Sequence, residues 1–263
     1  MDANELLTRF SEQQVAGFLL VLGRISPLFL LAPLFSSRMV PARARTVIAL
    51  ALTIGISPLA VAGAGDLPLD SIGYALLMFK ELLVGMAFAF SLAALFAAVS
   101  IAGSLLDTLI GFSYGALVDP VTGNQSTVIQ QLYSLVGLGV FIAINGDSWV
   151  IQGLARTYEL VPLTENPALG TMVAGAQAAF AGVMYSALQV CAPVLLAIVI
   201  TDLAFGVVNR VVPQLNVFAV GFPAKVAVGL ILIGVSLPFV AGWLSDELQG
   251  SVAAALDSLR TAG

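Results

Sequence analysis

Histidine is absent from the chain, and cysteine occurs once, at Cys191. Those two shortages close off much chemistry. Zinc sites, haem ligation and disulfide frameworks within one chain draw on His or paired Cys. Nucleophilic catalysis by Ser–His or Cys–His pairs needs an imidazole base. Charge is equally scarce: 10% of the 263 residues are charged, where soluble domains carry about a quarter. Lysine stands only at Lys80 and Lys225. Neither follows a glycine-rich loop, so there is no phosphate-cradling P-loop. Dinucleotide fingerprints and calcium-loop spacings are missing too. The thinly spread net charge of −5 argues against a nucleic-acid partner. No Gly/Ser-rich or Pro-rich linker divides the chain, which reads as one continuous unit. The first twelve residues hold Asp2, Glu5, Arg9 and Glu12 but no basic n-region or cleavage site. The first apolar segment is therefore expected to remain in the mature protein.

What the chain has in abundance is apolar surface. It is 59% hydrophobic, with a mean hydropathy of +1.03. A soluble fold this apolar would expose patches that a monomer does not tolerate. The apolar residues also come in blocks long enough to cross a bilayer, which takes about 20 residues per helix. Six blocks are predicted: 15–35, broken near its end by Pro27 and Pro33; 46–62, closed by Pro58; 72–101; 128–144; 170–208, which Pro193 should kink or split; and 217–244. A short amphipathic tail, 245–260, follows. The fold class is an all-α integral membrane protein. Arg38, Arg43 and Arg45 cluster between the first two blocks, whereas the next loop holds Asp66 and Asp70 and no basic residue. The positive-inside rule then places the first loop in the cytoplasm and the N-terminus outside.

Small residues recur at helical spacing, at Ala174, Ala178, Gly182 and Ser186 and again at Gly85, Ala89, Ala93 and Ala97. Such stripes let helix backbones approach closely in lipid, within one bundle or between subunits. Charges also stand where lipid is expected. Arg24, Lys80, Glu81, Asp107, Asp202, Arg210 and Lys225 lie within or at the edges of apolar blocks. An ionised group at the bilayer centre costs at least about 2.5 kcal/mol, so each should face protein or water. Lys80 and Glu81 are adjacent and point about 100° apart on a helix, so they are not expected to pair with each other. Snorkelling to an interface is the plainer reading for Lys80 and Arg210. Otherwise the charges suggest a protein completed by neighbours or one lining a hydrated path, since one isolated six-helix unit would struggle to satisfy them all.

The loop 111–125 combines Gly111, Gly115 and Gly123 with Phe112, Tyr114, Leu117 and Val118, then Asp119-Pro120. Glycine and the pre-proline position forbid a long regular helix here. A surface turn with buried anchors is the simplest account of it. Asp107 and Asp119, twelve residues apart, are a weak match to a carboxylate dyad.

The segment 202–225 carries Asn209-Arg210, then Pro213-Gln214-Leu215-Asn216, Phe218 and Gly221-Phe222-Pro223. It closely resembles the signature of the FliR/SctT family of type III export gate subunits. Further matches run in the family's order: Arg24 with Ala32-Pro33, Val40-Pro41 with Arg43 and Arg45, Glu81 with Gly85, Val118-Asp119-Pro120, and Asn145-Gly146. The resemblance implies a non-enzymatic subunit of the flagellar protein export gate, without a cofactor, in the bacterial cytoplasmic membrane at the flagellar basal body. It implies FliP-type and FliQ-type partner subunits, contact with FlhB, and unfolded flagellar proteins as cargo. It also implies a FliP-like part over 1–168, a FliQ-like hairpin over 169–246 and a tail over 247–263, within a funnel-like assembly. The family's pore plug corresponds by position to Gly111, Phe112, Tyr114, Gly115, Leu117, Val118, Asp119 and Pro120. The buried charges Arg24, Lys80, Glu81, Asp202, Arg210 and Lys225, with Asn209, become candidates for assembly contacts. Gly221-Phe222-Pro223 leans toward the flagellar branch and away from the virulence secretion subunits. Two other readings stay open: a self-contained secondary transporter using Asp202 and Lys80, and an intramembrane aspartyl protease using Asp107 and Asp119.

Overall fold

The computed structural model describes residues 12–36, 40–62, 65, 67–68, 70–112, 128–214 and 216–259. Arg38, Leu215, the side chain of Phe218 and the plug candidates Tyr114, Gly115, Leu117, Val118, Asp119 and Pro120 lie outside the described residues.

Those residues form helices and no strands. They are α1 (Glu12–Leu31), the single turn α2 (Pro33–Ser36), α3 (Ala42–Ala62), α4 (Ser71–Ile110), α5 (Val128–Ala143), α6 (Gly146–Leu160), α7 (Leu169–Val211) and α8 (Val217–Leu259). Five are long and apolar enough to cross a membrane, or six if α5 and α6 count as one broken span. The chain is a multi-pass membrane protein. α4, α7 and α8 have 40, 43 and 43 residues. Each is therefore about 60 Å long, twice the ~30 Å hydrocarbon core.

Proline turns out to interrupt less than its chemistry suggests. Pro27 was expected to break the first block, yet α1 runs through it to Leu31. The missing proline N–H frees the carbonyl of Gly23, and the Ser26 hydroxyl donates to that oxygen at 3.0 Å. The break falls at Ala32, and Pro33 opens α2, where a missing donor costs nothing. Likewise α3 continues past Pro58 to Ala62, and Pro193 does not split α7. The amphipathic tail is not a separate element either. α8 extends through it, burying Leu248, Val252, Ala255 and Leu259 at spacings of four, three and four.

Two compact units share these helices. The first comprises Met1–Ala94, Asn145–Phe180 and Leu248–Gly263, the second Leu95–Ile144 and Ala181–Glu247. In the first, α1 packs on α3 and α3 on α6. Gln13 exchanges two hydrogen bonds with the backbone of Leu67, at 3.0 and 3.1 Å, which ties the α3–α4 connection to α1. Asp70 accepts from the Gly73 N–H at 2.8 Å and caps α4. In the second unit the Phe96 and Phe141 rings meet edge to face, 5.5 Å between centroids. Gly103 there lets α4 and α5 touch: a Cβ on it would stand 2.6 Å from the Cα of Gln130.

Burial differs sharply among the spans. The most apolar windows of α1 and α4 are 56% buried, but those of α3, α7 and α8 only 17%, 22% and 22%. Apolar side chains such as Phe180, Leu196, Leu203, Ile231 and Val235 stay exposed along α7 and α8. The last two helices therefore keep broad apolar faces free for lipid or for other subunits.

Candidate functional site

Arg24 stands on the inward face of α1 with none of its surface exposed. Its Nε and Nη2 fork onto the two carboxylate oxygens of Glu81, which is equally buried on α4. Its remaining N–H groups donate to the carbonyls of Thr157 and Val161 at 2.9 and 2.8 Å, and the guanidinium lies 4.1 Å from the Tyr158 ring centre. A planar fork suits this arrangement, because every donor meets an acceptor and the face of the ion meets a ring. Gly85, one turn beyond Glu81, is what allows α1 so close. A Cβ there would overlap the Arg24 carbonyl oxygen and stand 2.9 Å from its carbonyl carbon.

Lys80 completes the cluster. Its ammonium donates to the carbonyls of Pro162, Leu163 and Glu165, and it lies 3.0 Å from Glu81 Oε1. The expectation that Lys80 and Glu81 could not pair is thus corrected. Their Cβ directions do diverge, but two long side chains curl toward the same acceptors at the end of α6. Both cations cap the C-terminal carbonyls of α6 and the connector after it, where the helix dipole favours positive charge. Glu81 then offsets two cations at once. The network joins α1, α4, α6 and the connector to α7 within the first unit.

The second unit has its own buried carboxylate. Asp107 Oδ1 accepts from the Ile129 N–H at 3.2 Å and Oδ2 from the Gln130 N–H at 2.8 Å. Its backbone carbonyl takes the Gly111 N–H at 3.0 Å, and Gly111 closes α4 with φ 104°, a conformation glycine adopts without strain. The Asp107 side chain therefore caps α5 and ties its first turn to the last turn of α4. Replacing Asp107 by Ala should speed amide exchange in the first turn of α5 about 10-fold, the loss of an N-terminal cap. Hydrogen-exchange mass spectrometry of peptides over 128–133 measures it. Unchanged exchange would show that the clasp is idle.

Asp202 and Lys225 pair at 2.8 Å between α7 and α8. Arg210 is exposed at the end of α7 and has no side-chain partner among the described residues. Every other charge singled out within an apolar block finds a partner inside the chain, so the expected shortfall narrows to Arg210. Of the signature residues, Asn209, Pro213, Gln214 and Asn216 stand exposed around the α7–α8 tip. Asn216 Oδ1 accepts from the Ala219 N–H at 3.1 Å and caps α8. Gly221 is buried against the Phe205 ring, while Phe222 and Pro223 are exposed.

Sequence reading missed α6 entirely, and with it Thr157, Tyr158 and the carbonyl ligands. The signal was there. Val150, Gly153, Leu154, Thr157, Tyr158 and Val161 follow the three-four spacing of an amphipathic helix, and all are buried. Its polar outer face kept it out of the apolar blocks. Asn145, at φ 55°, makes the break before it; Asn tolerates the left-handed region better than most residues.

Membrane-length helices, internal charges closed within the chain and no metal-ligating cluster among the described residues define a multi-pass helical membrane protein whose polar interior holds helices in place. The family described as "Bacterial export proteins, family 1" matches residues 15–251, and the chain belongs to it. Flagellar biosynthetic protein FliR of Bacillus subtilis (strain 168) is 36% identical over 227 residues, covering 85% of this chain and 87% of that protein. FliR of Escherichia coli (strain K12) is 29% identical, covering 83% of each. Surface presentation of antigens protein SpaR of Shigella flexneri is 22% identical, covering 84% of this chain and 86% of that one.

Proposed function

We propose that this chain is a subunit of the flagellar type III export gate in the cytoplasmic membrane, helping to form the conduit through which unfolded flagellar proteins leave the cell. The observation that carries this reading is similarity along nearly the whole chain to relatives named for flagellar biosynthesis, at 29% and 36% identity against 22% for the SpaR relative. Gly221-Phe222-Pro223 points the same way. FliP-type and FliQ-type subunits and FlhB are the partners, and the exposed apolar faces of α7 and α8 are where neighbouring helices would seat. A FliP-like part over 1–168 and a FliQ-like hairpin over 169–246 suit this assembly. The chain does no covalent chemistry. Both Asp107 oxygens are taken by backbone N–H groups, which speaks against a protease, and Lys80 and Asp202 each have their own partners, which speaks against a self-contained secondary transporter.

Deleting the gene in its own host tests the assignment. Flagella should be lost, and a tagged copy should recover FliP-type and FliQ-type subunits from membranes. Intact flagella with a failed virulence secretion system would assign the chain to the other branch.

The loop 111–125 plugs the conduit at rest. A channel wide enough for an unfolded chain would otherwise leak ions, and apolar constrictions seal by dewetting. The Asp107 clasp holds the first turn of α5, at one end of this loop, against α4. Removing residues 113–118 should leave the gate assembled but raise the permeability of resting cells to small ions or dyes. An assembled gate in a membrane that stays tight would place the seal elsewhere.

A further inference from the structure

The first unit has two outer surfaces of opposite character. α3 exposes Val47, Ile48, Leu50, Ile54 and Leu59. α6 exposes Asp147, Ser148, Gln152, Arg156 and Glu159, and Trp149 is the one large apolar side chain it exposes. The end of α8, from Leu248 onward, continues that second surface. Gln249, Ala253 and Asp257 are exposed there, and no large apolar side chain is among the described residues.

Packing fixes where the polar surface stands. Thr157 meets Arg24, and the Tyr158 hydroxyl donates to the Val21 carbonyl at 3.4 Å, both near the middle of α1. A Cβ on Gly153 would stand 2.9 Å from Phe88 Cζ and 2.8 Å from Val252 Cγ1, so α6 and the end of α8 close together on α4. Val84, Val161 and Leu259 share a buried apolar cluster. Both elements therefore run alongside residues 80–88 of α4, inside its long apolar run and not at its end.

Lipid is the wrong neighbour for such a surface, because charges such as Asp147, Arg156 and Glu159 are costly against hydrocarbon. A tight subunit contact fits little better, since the centres of protein interfaces are depleted of charged residues. Charges of both signs beside carboxamides and a hydroxyl suit water. The outer surface of α3 is the reverse and suits lipid or an apolar helix. A polar surface held beside the middles of membrane-length helices borders a hydrated passage.

We propose that α6 and the end of α8 are this chain's share of the hydrated wall of the conduit, along which an unfolded polypeptide passes. A chain in transit needs water for its backbone N–H and C=O groups. A wall without a broad apolar patch gives that chain little to stick to. The proposal rests on the export reading and assigns it a surface distinct from the plug.

Thiol labelling tests it. Cys191 is the only cysteine and is buried, so an introduced thiol is read against a quiet background. Gln152→Cys and Gln249→Cys probe the polar surface and Ile54→Cys the apolar one, each in the gate assembled with its partner subunits, in membranes opened to both sides. All three positions are exposed in this chain, so the substitutions should leave assembly intact. The two polar-surface thiols should react with a membrane-impermeant maleimide about 10-fold faster than Ile54→Cys, because a hydrated thiol forms its thiolate more readily. A flagellar cargo protein fused to a tightly folded domain, which stalls in the gate, should slow both several-fold. Labelling as slow as at Ile54→Cys would mean that lipid or a subunit covers the surface, and would overturn the proposal. Fast labelling that stalled cargo leaves unchanged would put the surface on bulk water outside the passage and overturn it equally. Co-purification of the cargo separates the two readings. Cargo that stays with the gate without protecting the thiols overturns this proposal alone, whereas cargo that never joins the gate overturns the export reading and this proposal with it.

Discussion

Glu81→Ala is expected to all but eliminate recoverable subunit from the membrane, whereas Asp246→Ala should behave as wild type. Removing one partner of a buried ion pair costs about 3–5 kcal/mol, because the other charge stays buried. Here two charges are stranded, since Glu81 faces both Arg24 and Lys80. Asp246 is exposed on α8, where water screens it. The measurement is the fraction of each variant that co-purifies with partner subunits, together with its resistance to protease. A companion variant separates charge from packing. Arg24→Met with Glu81→Met removes both members of the pair and should recover much of the loss, as apolar replacement of buried pairs commonly does. Lys80 would keep its three carbonyl partners in that variant. Equal yields for Glu81→Ala and Asp246→Ala would mean the cluster contributes nothing to the folded chain.

Gly85→Ala is expected to be nearly as damaging, at about 1–3 kcal/mol or more for an overpacked contact. The obstacle is the backbone of α1 at Arg24, which cannot rotate aside as a side chain can. The helices must separate, and separation loosens the Arg24–Glu81 fork. Gly182→Ala is the matched control: nothing lies within 4 Å of the added Cβ. Alanine there should be neutral or slightly stabilising in the isolated chain, since it favours helix by up to about 1 kcal/mol over glycine. Thermal unfolding of the two purified variants in detergent compares them directly. A Gly85→Ala protein as stable as Gly182→Ala would contradict the close packing of α1 on α4.

Those two glycines show where sequence reading stops. Gly85 and Gly182 head or join stripes of small residues with the same four-residue spacing, and nothing in the spacing tells them apart. Only the fold places an α1 carbonyl over one and open space over the other. The charges teach the same lesson from the other side. Their presence in apolar blocks, and so their need for partners, was plain from the sequence. Which partners they found was not. Arg24 meets Glu81 across 57 residues and Thr157 across 133, separations that no local pattern encodes. Six of the seven charges expected to need neighbours are satisfied inside the chain. Any need for neighbours falls on exposed Arg210 and on the exposed apolar faces of α7 and α8.

By itself, the sequence determined the solvent and the class. Scarce charge and long apolar runs point to a bilayer as the medium of these segments, and to helices as the way to satisfy their backbones there. Those are local properties summed along the chain, so they are legible residue by residue. The signature around 209–223 carried the family for the same reason, as a run of neighbouring residues. Tertiary structure decided the rest. It fixed which proline interrupts a helix, because a nearby hydroxyl takes the freed carbonyl at Pro27. It showed that α6 exists as the keystone of the ion cluster, because its polar outer face hid it from any search for apolar blocks. It also brought both cations to the end of that helix, because pairing there depends on distance in space and not on distance along the chain.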